Sequence, residues 1–169
     1  MCLFFGWWRG ALAGVLVLTG SAATALASLP SFDGRVAKAG NQASLDLTVS
    51  DQAVLETSRL ELSAGESIWI HQPARISVVK IVVHSSAPAR VEGQIHADGV
   101  VILLSDSGWE IGARAMVSAA GISVVSPGGA VVNRGCLTAA GGDIRLAGGV
   151  IEQSGRRDQV EAAVIWGKF

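Results

Sequence analysis

Apolar and polar residues alternate along most of the chain after residue 28, with the period of two that is typical of β-strands. The clearest stretches are short and evenly spaced, namely Leu45–Val49, Leu60–Leu62, Ile68–Ile70, Ile76–Val83, Val100–Leu104, Ile122–Val125 and Ile144–Leu146. Turn-forming residues separate them, including Asp98-Gly99, Ser126–Gly129 and Ala140–Gly142. Helical periodicity is nearly absent, so the pattern predicts an all-β fold.

A seven-residue motif, small-x-aliphatic-x-Ala-x-Gly, occurs three times in the second half of the chain. Its copies begin at Gly93, Ala115 and Gly135, which are 22 and then 20 positions apart, and Gly155 follows after another 20. Such a period indicates a solenoid in which each repeat makes one coil. The repeat positions are Gly93, Ile95, Ala97, Gly99, Val117, Ala119, Gly121, Gly135, Leu137, Ala139 and Gly141.

Equivalent residues of stacked coils should form columns at the strand separation of about 4.8 Å. The repeat therefore predicts one column of Ile95, Val117 and Leu137, and a second column of the motif alanines. The glycines that close the copies are expected at corners, where the backbone needs a positive φ or a close approach. A sandwich of hairpins would also suit short strands, but the repeat favours the solenoid.

The open ends of a solenoid need covering, because unpaired strand edges promote aggregation. The less periodic segment Leu29–Leu62 is expected to form an N-terminal cap. Near the other end, Arg156–Asp158 is expected to break the pattern before a final strand within Val160–Phe169.

The first 27 residues have the features of a secretory signal peptide. Arg9 precedes an apolar run, Ala11–Leu18, and Ala25–Ala27 supplies a small-residue cleavage pattern. A membrane anchor is the alternative, but Thr19–Ser21 ends the run before the roughly 20 apolar residues that a span requires. Residues 28–169 are therefore expected to form one exported domain that does not span a membrane.

Charge and cysteine content exclude several classes of protein. The chain has 13 Lys and Arg against 14 Asp and Glu, scattered without runs, so nucleic acid is not expected as a partner. Cys2 belongs to the signal peptide and Cys136 stands alone, so no disulfide framework is expected. A small strand residue is the interpretation favoured for Cys136.

The sequence contains no motif of metal, cofactor or nucleophilic chemistry. The three histidines lack metal-ligand spacing, and no phosphate loop or nucleophile elbow is present. Glu92 could align across coils with Asp106 or Glu110 for glycoside cleavage, which wants carboxylates about 5 to 10 Å apart. The repeat copies do not repeat an acid, however. No cofactor and no enzymatic activity are expected, with a polysaccharide-active enzyme as a distant alternative.

Several tracts of the mature region follow one another in the order of a known family. They are Leu29-Pro30 with Gly34–Gly40, Ala53–Glu66, Ile68–Pro73, Arg90–Leu104 and Val131–Gly135. The third is similar to a Phe-x-Gln-Pro signature, the fourth to Ile-x-Gly-x-Leu-x-Ala-x-Gly-x-Val-x-Leu, and the fifth to Val-x-Asn-x-Gly. On these tracts residues 28–169 resemble the filamentous haemagglutinin N-terminal domain, the secretion domain of two-partner-secretion exoproteins.

The resemblance implies a right-handed parallel β-helix, here with about 20–22 residues per coil and an N-terminal cap. It also implies passage through the periplasm of a Gram-negative bacterium and recognition by an outer-membrane transporter with periplasmic binding modules. The product would be an adhesin, secreted or held at the cell surface. Ser105–Gly108 departs from the family's Asn-Pro-Asn-Gly, and no passenger follows before Phe169. A stand-alone β-helix, a remnant of a larger exoprotein and one part of a split system are all compatible with that ending.

The exported chain would add its strands to the periplasmic modules of the transporter by β-augmentation, and Ser63–Pro73 and Val101–Gly108 are the expected contact segments. The candidate partner-binding residues are Trp69, His71, Gln72, Pro73, Ser105, Asp106, Ser107, Gly108 and Trp109. The alternative function is a stand-alone surface adhesin for a host glycan or protein, with Trp69 and Trp109 as stacking platforms. Either tryptophan could instead close a layer of the core.

Overall fold

The computed structural model of the chain describes residues 26–28, 38–39, 42–159 and 164–168. These residues form strands and turns, and among them is no helix long and apolar enough to cross a membrane. The strands are β1 (Leu26–Ser28), β2 (Lys38–Ala39), β3 (Gln42–Thr48), β4 (Gln52–Thr57), β5 (Glu61–Leu62), β6 (Ser67–His71), β7 (Val78–Val83), β8 (Ala89–Val91), β9 (Gln94–Ala97), β10 (Val100–Ser105), β11 (Trp109–Ile111), β12 (Met116–Ala119), β13 (Gly121–Asn133), β14 (Cys136–Ala139), β15 (Ile144–Gln153), β16 (Arg156–Gln159) and β17 (Val164–Lys168).

The strands wind into stacked coils with three faces, which confirms the predicted all-β solenoid. The first face contains β4, β7, β10 and the starts of β13 and β15, whose later halves join β5, β8 and β11 on the second face. The third face contains β3, β6, β9, β12, β14 and β16, all paired in parallel. The five coils are coil 1 (residues 52–71), coil 2 (78–97), coil 3 (100–119), coil 4 (121–139) and coil 5 (144–159).

The aliphatic residues of the repeat form the predicted column inside the third face. Ile68 pairs with Ile95, Ile95 with Val117, and Val117 with Leu137. Ile95, Val117 and Leu137 are each 0 % exposed and belong to one core that runs through the coils. Burying a side chain of this size contributes about 1.5–3 kcal/mol, so each column stabilises the stacking of its coils.

The motif alanines and glycines behave less uniformly than the aliphatic residues. Ala119 pairs with Ala139 as predicted. A Cβ on Gly99 would lie 2.7 Å from Gln72 Nε2, and Gly141 has a φ of 100°, so both need glycine. The same expectation for Gly121 was wrong, because its nearest non-neighbouring atom would be 3.5 Å from an added Cβ and its φ is not positive.

The N-terminal boundary of the coils lies earlier than predicted. Gln52–Thr57 pairs with β7 as a regular first-face strand, and β3 already pairs with β6, so much of the expected Leu29–Leu62 cap is part of the solenoid. A short antiparallel pairing joins Lys38–Ala39 to β3. Residues 1–25, which hold most of the predicted signal peptide, and residues 29–37 lie outside the described residues, whereas Leu26–Ser28 pairs with β4.

Two predicted interruptions in the second half are strands instead. Ser126–Gly129 is a bulge within β13, where the chain bends from the first face to the second without ending the strand. Arg156–Asp158, expected to break the pattern, lies in β16 and pairs with β14, because backbone pairing does not require apolar side chains. The final strand is present as Val164–Lys168, while residues 160–163 and Phe169 lie outside the described part.

Candidate functional site

The outward side of the third face has a column of non-repeating side chains. Asp46 pairs with Trp69, Trp69 with His96, and His96 with Ser118, which in turn pairs with Thr138. Each of these residues is next in sequence to a member of the buried aliphatic column, because side chains alternate across a strand. The strands thus place an aromatic and polar surface directly behind the core.

Trp69 and His96 form a stacked pair at the centre of this surface. Their ring centroids are 4.2 Å apart and their planes differ by 20°. The rings come from adjacent coils, so they stack along the direction in which the coils pile up, and one ring face of Trp69 is covered by His96. The indole remains 39 % exposed, and its other face is turned towards the position of Asp46.

Burial lowers the pKa of His96 below the ordinary value for histidine. Its Nε2 lies 3.1 Å from Oε1 of Gln94, the next outward residue on the same strand. The pair of rings and the amide of Gln94 therefore offer an aromatic face beside a neutral hydrogen-bonding group, an arrangement that suits a hydroxyl-rich ligand.

A histidine between two carboxylates borders the same surface. His71 Nε2 lies 3.6 Å from Asp46 Oδ1, and His71 Nδ1 lies 3.4 Å from Asp98 Oδ2. The three residues belong to three successive levels of the third face, and all three side chains are at least half exposed. The imidazole of His71 thus lies between two carboxylates from the levels on either side of it.

Gln72 and Pro73, two further predicted binding residues, follow directly after the third face. Pro73 is exposed. Gln72 is buried, and its side chain donates from Nε2 to the Ser77 carbonyl oxygen at 2.8 Å and accepts from the Gly99 backbone N–H at 2.8 Å. In the folded chain the amide of Gln72 is occupied in bracing the loop that follows it, so it is not available to a partner there.

The other predicted group, Ser105–Trp109, lies at a different corner of the coil, between the first and second faces. Trp109 is 0 % exposed and pairs with Ala89 and Val131 inside the second face, so it cannot serve as a stacking platform. Ser105 is also buried, at 1 % exposed. Neither side chain is accessible to a partner in the folded chain, and the core-layer interpretation of Trp109 is confirmed.

The rest of this corner is a tight turn. Gly108 has a φ of 119°, a conformation that other residues adopt only with strain. Ser107 Oγ donates a hydrogen bond to the Ser85 carbonyl oxygen, which joins the turn to the coil below. Asp106 is exposed, so among Ser105–Trp109 it has the side chain most available to a partner.

Neither predicted contact segment offers a free strand edge in the folded chain. The strand β6 lies between β3 and β9, and β10 lies between β7 and β13. Addition of a partner strand at either place would require adjacent coils to separate. In the folded state these segments can be recognised only through their outward side chains.

Two of the acidic residues considered for catalysis lie near each other, and the third lies apart. Glu110 pairs with Arg90, two residues before Glu92 on the adjacent second-face strand, and its Oε2 is 2.8 Å from Arg90 Nε. Asp106 lies at the corner before that face. Among the side chains that the structure describes, no three of the His, Cys, Asp or Glu type are grouped so that they could hold a metal ion.

Sequence reasoning missed the contribution of Asp46, His96 and Asp98 to this surface. The motif was aligned at intervals of 20 and 22 residues, whereas Trp69 and His96 are equivalent at an interval of 27. The loop between β6 and β7 accounts for the difference. Aligning Ile68-Trp-Ile70 with Ile95-His-Ala97 would have shown the pair.

In comparisons with known proteins, no family model, no curated protein and no solved structure matches the chain. The likeness to the filamentous haemagglutinin domain rests on the sequence tracts described above.

Proposed function

We propose that this chain is an exported, adhesin-like β-solenoid that works by binding through its third face and performs no catalysis. The observation that supports this best is the exposed Trp69–His96 stack on an otherwise hydrophilic column. An exposed indole held by a rigid strand has little conformational freedom left to lose on binding. Large aromatic residues of this kind are enriched at binding surfaces.

A glycan is the ligand class that this surface fits best. The apolar face of a sugar ring can pack on the open face of Trp69, while Asp46 and Gln94 are placed to exchange hydrogen bonds with hydroxyl groups. Successive coils repeat at about 4.8 Å, so a longer glycan would have to pass the edges of both rings before it meets Ser118 and Thr138, two and three levels beyond Trp69.

A glycan-array comparison of the wild-type chain with Trp69→Ala tests this function. We expect wild-type binding to one class of oligosaccharide and at least about tenfold weaker binding by the variant, as for loss of a binding hot spot. Met116→Ala is the matched control, because Met116 is also apolar and exposed on the third face but stands in the neighbouring column. Equal binding by wild type and Trp69→Ala would refute the role of the third face.

Recognition by an outer-membrane transporter is a second proposal, which the sequence tracts and the solenoid fold support. Because β6 and β10 are paired on both edges, we expect periplasmic transporter modules to bind the chain before it folds. Binding of purified modules to the urea-unfolded chain, compared with the folded chain under matched conditions, tests this expectation. Tighter binding to the folded chain would contradict it.

A further inference from the structure

A groove with a volume of about 470 Å³ lies at the corner between the third and first faces. Arg75 and Ile76 overhang it, and its floor includes Val100, Ala140 and the Gly141-Gly142 pair. The volume falls within the range of small-molecule sites, about 300–1,000 Å³. The lining contains small and aliphatic residues and one cationic side chain.

The loop that overhangs the groove is held firmly in place. It runs from Gln72 to Ser77 and is longer than the connection at the same corner one coil later, which is Asp98-Gly99. Gln72 ties it to coil 3 through the bond to Gly99, and Ser77 Oγ donates to Asp51 Oδ1 at 2.6 Å. These bonds hold the two ends of the loop, and Arg75 and Ile76 lie exposed between them.

The guanidinium of Arg75 lies over the backbone at Gly141, between coils 4 and 5, without a carboxylate partner among the described residues. A Cβ added to Gly141 would be 3.1 Å from Arg75 Nη2, which places the cation directly above the groove floor. Among the described residues no acid lies within ion-pair distance of Arg75. Asp143, the acid next to the floor, is held by Arg145 at 2.7 Å.

An apolar track leads away from the groove along the first face. Val100, Ile102 and Leu104 point outward from β10 and are partly exposed. Val82 and Val125 flank Leu104 on the adjacent strands, whereas Lys80 and Ser123 flank Ile102. Four residues of extended strand span about 13 Å. Ile76, at 83 % exposed, stands at the start of this track.

We propose that the groove binds a free aliphatic carboxylate of medium chain length. The carboxylate would accept paired hydrogen bonds from the Arg75 guanidinium, a geometry that arginine favours. The chain would pass beneath Ile76 and along Val100 and Ile102, where burial of CH₂ groups is favourable. Sugars fit the groove less well, because its lining has no neutral hydrogen-bonding side chain. This site is separate from the third-face surface, so the two functions can fail independently.

The test compares decanoate with 1-decanol and acetate, each below its aggregation limit, by titration of the folded chain with NMR detection at the Gly141 and Gly142 amides. We expect decanoate to shift both amides, and 1-decanol and acetate each to bind at least about tenfold more weakly. Arg75→Gln should weaken decanoate about tenfold while leaving 1-decanol unchanged. Ala140→Phe, which fills the groove, should abolish binding of decanoate.

Arg114→Gln is the matched control, because Arg114 is an exposed arginine at the corner between the second and third faces. It should bind decanoate as the wild type does. Equal affinity for decanoate and 1-decanol, an equal loss in Arg75→Gln and Arg114→Gln, or the absence of any shift with decanoate would each overturn the proposal.

Discussion

The buried and exposed columns of the third face differ in how regularly they repeat one kind of residue from coil to coil. Inside, Ile68, Ile95, Val117 and Leu137 repeat one kind of residue at every level. Outside, one residue further along each strand, Trp69, His96, Ser118 and Thr138 have no common chemistry. The interior is constrained by stacking, whereas the exterior is free to vary. The individual character of this protein therefore lies on its outward columns.

The largest effect should come from truncating the buried column. Leu137→Ala removes a side chain that is 0 % exposed and leaves a cavity between coils 4 and 5. We expect the free energy of unfolding to fall by about 2–5 kcal/mol, measured by urea denaturation followed by circular dichroism. Ser118→Ala, on the outward column, should change it by less than about 0.5 kcal/mol. Similar losses in the two variants would mean that the columns are not energetically distinct.

The next effect separates two glycines of the repeat, Gly93 at the start of one copy and Gly121 at the end of the next. A Cβ on Gly93 would lie 2.6 Å from the Ser63 carbonyl oxygen, so Gly93→Ala must push two coils apart. We expect a loss of about 1–3 kcal/mol in the free energy of unfolding. Gly121→Ala meets nothing closer than 3.5 Å and should be tolerated within about 0.5 kcal/mol. Thermal and urea unfolding of both variants measure the difference, and the opposite order would show that the coil spacing is wrong.

A smaller effect links the two rings of the outward column. Burial lowers the pKa of His96, and the indole of Trp69 covers one face of the imidazole. Trp69→Ala should therefore raise this pKa towards its ordinary value, measured from the imidazole proton shifts by NMR. A pKa that is unchanged in the variant would show that the stack does not desolvate His96.

The lowered pKa of His96 also predicts how the free energy of unfolding changes with pH. Because the folded-state pKa of His96 lies below its unfolded value of about 6.5, the unfolded chain takes up the proton first as the pH falls. The contribution of neutral His96 to the free energy of unfolding is therefore fully present above the unfolded-state pKa and decreases as the pH falls below it. His96→Gln should remove this part of the acid sensitivity, while His84→Gln, which changes an exposed histidine on the first-face side, serves as the control.

The motif spacing predicted the stacking, because like residues at a fixed interval can meet only if each interval makes one coil. It could not predict the direction of Trp109. That residue follows Gly108, whose φ of 119° resets which side of the strand each later side chain faces, and a slip of one residue exchanges inside and outside. The pairing of Trp69 with His96 was hidden for a related reason, since the loop beginning at Gln72 lengthens one interval to 27.

That loop also changes how disruption would spread through the molecule. In a linear array, each level is stabilised chiefly by its two neighbours, so fraying from either terminus proceeds one level at a time. Arg75 is an exception to this nearest-neighbour pattern. It lies in the loop after coil 1, and its side chain reaches the backbone of Gly141 beyond coil 4. A ligand clamped under this arm would join distant levels into one cooperative unit, and amide exchange across coils 2 to 4 would slow together.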